Sequence, residues 1–343
     1  MESCETKAGE ARNVRSVPES WIETFVTGLL EGGVRVIAPV ECNGTAQFEP
    51  VSTASQIATD YVNTLVPAKK VLFPPSEVLL KFATDKGNVD LEPAKEDIVP
   101  TVVIGCRPCD AAAIERLTAV FTWDYDDKPY LARLRDTTFV TLACTNPDEN
   151  CFCTSVGLGP ASTEGSDLLV QRSRDGLSVA VITEKGEKLL RKYARSDGDE
   201  KPADAQAGET QPELKLDVEA VKRWLDDNFT SDLWGDAGLR CIGCGVCSFL
   251  CPTCHCFDIV DEADWRRGER RRNWDSCAFS LFTLHTSGHN PRPDQSARFR
   301  QRVMHKFKYF PERFGQIGCV GCGRCIRQCP AGQNLFGILQ RMK

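Results

Sequence analysis

Two cysteine strings decide how this chain is read: Cys241-Ile242-Gly243-Cys244-Gly245-Val246-Cys247-Ser248-Phe249-Leu250-Cys251-Pro252 and Cys319-Val320-Gly321-Cys322-Gly323-Arg324-Cys325-Ile326-Arg327-Gln328-Cys329-Pro330. Both follow C-x2-C-x2-C-x3-C-P. In bacterial two-cluster proteins this spacing wraps three thiolates around one [4Fe–4S] cubane and hands the fourth, before proline, to the other cluster. The strings therefore predict one cluster (A) on Cys241, Cys244, Cys247 and Cys329. The second (B) falls on Cys251, Cys319, Cys322 and Cys325. Zinc ribbons also use C-x2-C pairs, but a single tetrahedral ion needs neither four cysteines per string nor the repeated Cys-Pro ending. Such a chain moves electrons.

Composition bounds the remainder. A chain of 343 residues suggests two or three domains, and its net charge of −6 gives no global reason to expect nucleic acid or a membrane surface. No apolar run approaches the ~20 residues of a membrane-spanning helix. The opening Met1-Glu2-Ser3-Cys4-Glu5 lacks the charged-then-apolar pattern of a secretion signal. A cytoplasmic location follows as the expectation, and with it metal ligation rather than disulfides for the 18 cysteines.

Working back from the strings, residues 214–343 read as an α+β, bacterial-ferredoxin-like two-[4Fe–4S] domain. It opens with an amphipathic helix over Leu214–Phe229 and carries a long insertion, since 67 residues separate Cys251 from Cys319. Residues 195–213, polar and free of aromatics, read as a linker or loop. Residues 17–194 alternate helix and strand, which implies an α/β domain. The periodicity predicts a helix from Val17 to Leu30 with Pro18 early in it, a strand over Val34–Val40, and strands over Val99–Ile104 and Thr138–Ala143 around a helix Ala111–Phe121. Lys69–Phe82 reads as a strand, a Pro-Pro break and a helix capped by Ser76. Residues 1–16 are expected to be mobile.

Cys109, Cys144, Cys151 and Cys153 stand where strands give way to loops, the edge of an α/β sheet at which ligands gather. Four such thiols predict a third [4Fe–4S] cluster. Free cysteine is also a common core residue, but Arg107-Pro108, Pro147 and Asn150 are turn chemistry. Cys106 reads as a spare, structural thiol inside the sheet, and the spacing is equally compatible with zinc.

Several separated motifs between Lys69 and Lys343 resemble one family. They are Leu72-Phe-Pro-Pro-Ser-Glu77, Arg107-Pro-Cys-Asp110, Asn150-Cys-Phe-Cys-Thr-Ser155, Cys251-Pro-Thr-Cys-His-Cys-Phe-Asp258, Trp274-Asp-Ser-Cys277, Gly288-His-Asn-Pro-Arg292 and His305-Lys-Phe307. The chain resembles the 4Fe-4S dicluster electron-transfer subunits, which include the beta subunit of cytoplasmic sulfhydrogenase-type nickel-iron hydrogenases, the A subunit of anaerobic sulfite reductase and related subunits feeding heterodisulfide reductase. The resemblance implies a relay between a flavin/NAD(P)-binding subunit and a catalytic or electron-bifurcating redox subunit. It also implies clusters A and B on the eight cysteines above, and supports the third. Cys106 departs from the pattern and leaves a choice between Cys106 and Cys109.

Cys254, Cys256 and Cys277 remain, with His255, His289 and His305 near them. A mixed Cys/His metal site is one reading. The other, preferred here, packs them round cluster B, where thiols donate weakly to cluster sulfurs. Trp265–Arg313 holds twelve Lys/Arg against four Asp/Glu, densest at Arg266–Arg272. These cations suit burial of anionic clusters or an acidic partner better than nucleic acid, because no nucleic-acid motif accompanies them. No phosphate-binding glycine loop, nucleophile elbow or zinc-protease motif occurs. The function expected is an iron–sulfur electron-transfer subunit of a multi-subunit oxidoreductase without catalytic residues of its own. Two alternatives stand beside it: a reductase with substrate at an open cluster, with Asp110 a weak ligand, and a cluster-stabilised nucleic-acid-binding protein.

Overall fold

The computed structural model describes residues 13–85, 87–94, 98–174, 176–194 and 210–343. Its strands, in chain order, are β1 Asn13–Val17, β2 Arg35–Cys42, β3 Thr45–Pro50, β4 Ser76–Asp85, β5 Asn88–Pro93, β6 Thr101–Cys106, β7 Thr137–Leu142, β8 Leu168–Ser173, β9 Gly176–Val181, β10 Phe257–Ala263 and β11 Arg267–Trp274. The chain divides into two compact units. The first comprises 1–68, 99–215 and 320–323, and the second 69–98, 216–319 and 324–343. This differs from a contiguous division at 17–194 and 214–343, since residues 69–98 fold with the C-terminal unit and 320–323 with the N-terminal one. The expected linker at 195–213 lies largely outside the described residues, as do residues 1–12.

The first unit is built on a seven-stranded sheet in the order β1-β9-β8-β7-β6-β2-β3. β2, β6, β7 and β8 are parallel neighbours, flanked by antiparallel β3 on one side and β9 and β1 on the other. The β6 stretch Thr101-Val-Val-Ile-Gly-Cys106 is buried at every position, as a central parallel strand covered on both faces must be. One face packs against the helix Trp21–Glu31, whose Phe25, Val26 and Leu29 meet Val36, Val102, Ile104 and Val140. Burial of these side chains contributes about 1.5–3 kcal/mol each. Pro18 precedes this helix rather than opening it, and its carbonyl accepts from Trp21 N–H. Residues 13–16, expected to be mobile, are strand β1, held to β9 by a five-residue register. A single sequence offers no sign of a pairing partner 160 residues away.

The second unit contains a four-stranded antiparallel sheet, β10-β11-β4-β5. Here the reading of Lys69–Phe82 inverts. Lys69–Leu72 is a turn of helix and Ser76–Asp85 is strand, so Ser76 caps nothing. β4 takes its identity from β11, which pairs with it across some 190 residues, and Arg272 seals the register through a buried ion pair to Glu77 at 2.5 Å. Local propensity is overridden by tertiary pairing. β10, β11 and the helix Gln295–Met304 with its π-helical continuation His305–Tyr309 supply the 67-residue insertion. The helix expected over Leu214–Phe229 forms over Val218–Asp227, with Val221 and Leu225 buried and Asp217 capping its start. Among the described residues no helix is long and apolar enough to cross a membrane.

The arginine run lies on β11, a strand and not a helix face. Arg270 pairs with Asp261, Arg271 with Glu262 and Glu269, and Arg272 with Glu77. Three of its five charges are thus answered within its own sheet, while Arg266 lies over the Trp265 ring.

Candidate iron–sulfur sites

Each cysteine string folds the same way. Gly243 and Gly245 in one, and Gly321 and Gly323 in the other, all have φ between +62° and +75°. That left-handed backbone suits glycine and lets the chain curl tightly between successive cysteines. A short helical turn follows in each, Val246–Phe249 and Arg324–Arg327, and ends before the fourth cysteine. The glycine pattern repeats with the cysteine spacing and is a second signal of this fold in the sequence.

In the second unit one pocket is lined by Cys241, Cys244, Cys247 and Cys329, the set predicted for cluster A, with Cys325 beside them. The sulfurs are met by donors. Gln295 Nε2 donates to Cys241 Sγ and the Gln333 N–H to Cys329 Sγ, both at 3.2 Å. Thiolates accept such bonds, so the residues fit a thiolate-ligated cluster. Burial raises the Cys247 thiol, while Arg302 opposes that rise.

Of the set predicted for cluster B, Cys251, Cys319 and Cys325 belong to the second unit. Cys251 is buried, and Lys306 Nζ donates to its Sγ at 3.3 Å and to the Gly318 carbonyl at 2.8 Å. A hydrogen bond from Cys254 holds Cys251 well below the usual thiol range against burial, aided by Lys306 and Arg302. Cys322 is placed in the first unit. It packs there against Ala112, Ala113 and Leu158, with Cys109 and Cys153 alongside.

The third set is brought together in the first unit. Cys109 sits in the first turn of the helix Pro108–Phe121 that leaves β6, so this helix begins earlier than Ala111. Cys144 follows β7, parallel to β6, at the same edge of the sheet. Arg107 ties this edge together by donating to the carbonyls of Tyr61, Val62 and Ala143. Cys153 is pushed up to about 11 by burial and then by neighbouring Cys144. Burial raises Cys151 further, as does Asp148, whose Oδ1 accepts from its Sγ at 3.2 Å. Cys322 is near both Cys151 and Cys153. Gly321 makes that approach possible, since a Cβ there would lie 2.5 Å from Cys153 N. Sequence reasoning missed Cys322 as a neighbour of this set. Cys106 is fully buried at the end of β6, as a structural thiol would be, and Asp110 is buried nearby.

Among the described residues no three Cys, His, Asp or Glu side chains converge tightly enough for a single ion. This includes the cluster A set.

Residues 240–333 match the family model described as a 4Fe-4S dicluster domain, which supports two [4Fe–4S] clusters. The chain is 33% identical over 329 residues to sulfhydrogenase 2 subunit beta of Pyrococcus furiosus, covering 93% of this chain and 95% of that protein. No solved structure matches.

Proposed function

Because the chain belongs to the 4Fe-4S dicluster electron-transfer subunit family, in which sulfhydrogenase subunit beta falls, we propose that it relays electrons between a flavin/NAD(P)-binding subunit and a catalytic or electron-bifurcating redox subunit. The observation that carries this reading is the pocket of Cys241, Cys244, Cys247 and Cys329. Four thiolates satisfy the four irons of a cubane and leave no metal position for a substrate. Bound there, the cluster supplies one-electron chemistry. The chain's own residues do the rest. Gln295 and the Gln333 N–H stabilise sulfur charge, and Lys306 and Arg302 offset the burial of anionic sulfur on the other side. Cluster B is assigned to Cys251, Cys319, Cys322 and Cys325, and a third to Cys109, Cys144, Cys151 and Cys153. The hydrogenase, sulfite reductase and heterodisulfide reductase classes of catalytic subunit all fit this role.

The test is reduction of the anaerobically purified chain. Dithionite should bleach its visible thiolate-to-iron absorbance. NADH or NADPH should do so only after the cognate flavoprotein subunit is added. Turnover of NAD(P)H by the chain alone contradicts the relay.

A further inference from the structure

Cys254, Cys256 and Cys277 are not used by either string or by the third set. The structure gathers them from two segments. The Asp275 N–H donates to the Cys256 carbonyl and brings the start of the Cys277 turn alongside the Cys254–Cys256 stretch. Cys256 and Cys277 come within hydrogen-bond reach of each other. Ser248 Oγ lies 3.8 Å from Cys277 Sγ and 3.0 Å from Ser276 Oγ. The three cysteines line one pocket with His255, His305 and Arg302. None of the eight cysteines of clusters A and B lines that pocket, although Cys254 also reaches Cys251 by a hydrogen bond, as packing round cluster B would have it.

Two further observations point to a ligand. His255 Nδ1 is 3.1 Å from the Thr253 carbonyl, so it carries the proton and leaves Nε2 with its lone pair, the tautomer of a metal-binding imidazole. His305 stands edge-on to it, with ring centroids 5.3 Å apart. Three buried cations also meet this one stretch. Lys69 Nζ donates to the Cys254 carbonyl at 2.9 Å, Arg302 Nη1 to Cys254 Sγ at 3.5 Å, and Lys306 Nζ to Thr253 Oγ1 at 2.8 Å. Among the described residues none of the three pairs with a carboxylate. Cations taken out of water need a compensating negative charge. Neutral thiols cannot supply it, and a thiolate-ligated cluster can. Clusters A and B answer part of this charge through Arg302 and Lys306. Lys69 meets Ser248, Cys254 and the Trp274 ring, and both Cys251 and Cys256 act on its charge.

We propose that Cys254, Cys256 and Cys277 hold a further iron–sulfur cluster, separate from the dicluster pair, with His255 Nε2 as its fourth ligand. The site needs no substrate or partner, so it stands or falls independently of the relay reading.

The direct test is anomalous diffraction at the iron edge from crystals of the full, anaerobically prepared chain. A peak in the pocket bounded by Cys254, Cys256 and Cys277, distinct from those of the dicluster, is expected. Density confined to the dicluster and first-unit sites overturns the proposal, and so does a zinc-edge peak in its place. In solution, the double variant Cys256→Ser/Cys277→Ser should lose about four irons per chain while both dicluster EPR signals persist. Full iron content, or loss of a dicluster signal instead, contradicts it. Should that variant fail to fold, the wild-type diffraction experiment still decides.

Discussion

The sulfurs of the two units are treated in opposite ways. In the second unit Lys306 Nζ donates to Cys251 Sγ at 3.3 Å, and Gln295 and Gln333 donate to Cys241 and Cys329. In the first unit Cys151 is itself the donor, to the Asp148 carboxylate at 3.2 Å. One environment favours the thiolate, whereas the other favours the protonated thiol. Metal binding releases such protons, and affinity falls with the work of removing them. The second-unit thiols are therefore electrostatically prepared for ligation, while the third cluster proposed for the first unit would rely on geometry supplied by the sheet edge.

The largest expected effect breaks the prepared side. Cys241→Ser should remove about four irons per chain and the cluster A EPR signal, while Cys151→Ser should leave both dicluster signals standing. If Cys151→Ser instead abolishes a dicluster signal, the first-unit cysteines do not form a site of their own. Next comes the scaffold of the first unit. Arg107 makes three bonds to backbone carbonyls and lies over the Tyr61 ring at 4.2 Å. Lysine cannot reproduce that fork. Arg107→Lys should lower unfolding stability by about 3 kcal/mol and lose iron from the third site first. Chemical denaturation of the variant, with unchanged midpoint, removes this account of how the edge is held.

These expectations show what was legible. The dicluster domain was, because its cysteines sit at fixed local offsets that are readable without knowledge of the fold. The first-unit set was partly legible, because strand ends can be placed from Val99–Ile104 and Thr138–Ala143. Cys322 beside Cys153 was not, because nothing local brings the second string to that edge. Nor was β4, whose partner β11 lies far along the chain. The pocket at Cys254, Cys256 and Cys277 needed three dimensions as well, since Cys277 reaches it only through the β11 turn.

Two smaller effects sharpen the contrast. Lys306→Met removes a buried cation from beside Cys251 and should lower the cluster B reduction potential by roughly 60 mV or more, since a decade in a one-electron equilibrium is ~59 mV. Asp148→Asn should act the other way on the third site, slowing iron loss to a chelator. A potentiometric titration of Lys306→Met with no shift, or a chelation rate unchanged in Asp148→Asn, denies that these charges set the difference between the units.

The central claim is that the chain's own side chains saturate the irons of the clusters and that the chain passes electrons without binding substrate at iron. EPR of the dithionite-reduced, anaerobic chain before and after adding sulfite and carbon monoxide tests it most directly. The account predicts unaltered cluster signals with both. A new iron-bound species, or consumption of sulfite by the chain alone, would contradict it and place the chain among open-cluster reductases.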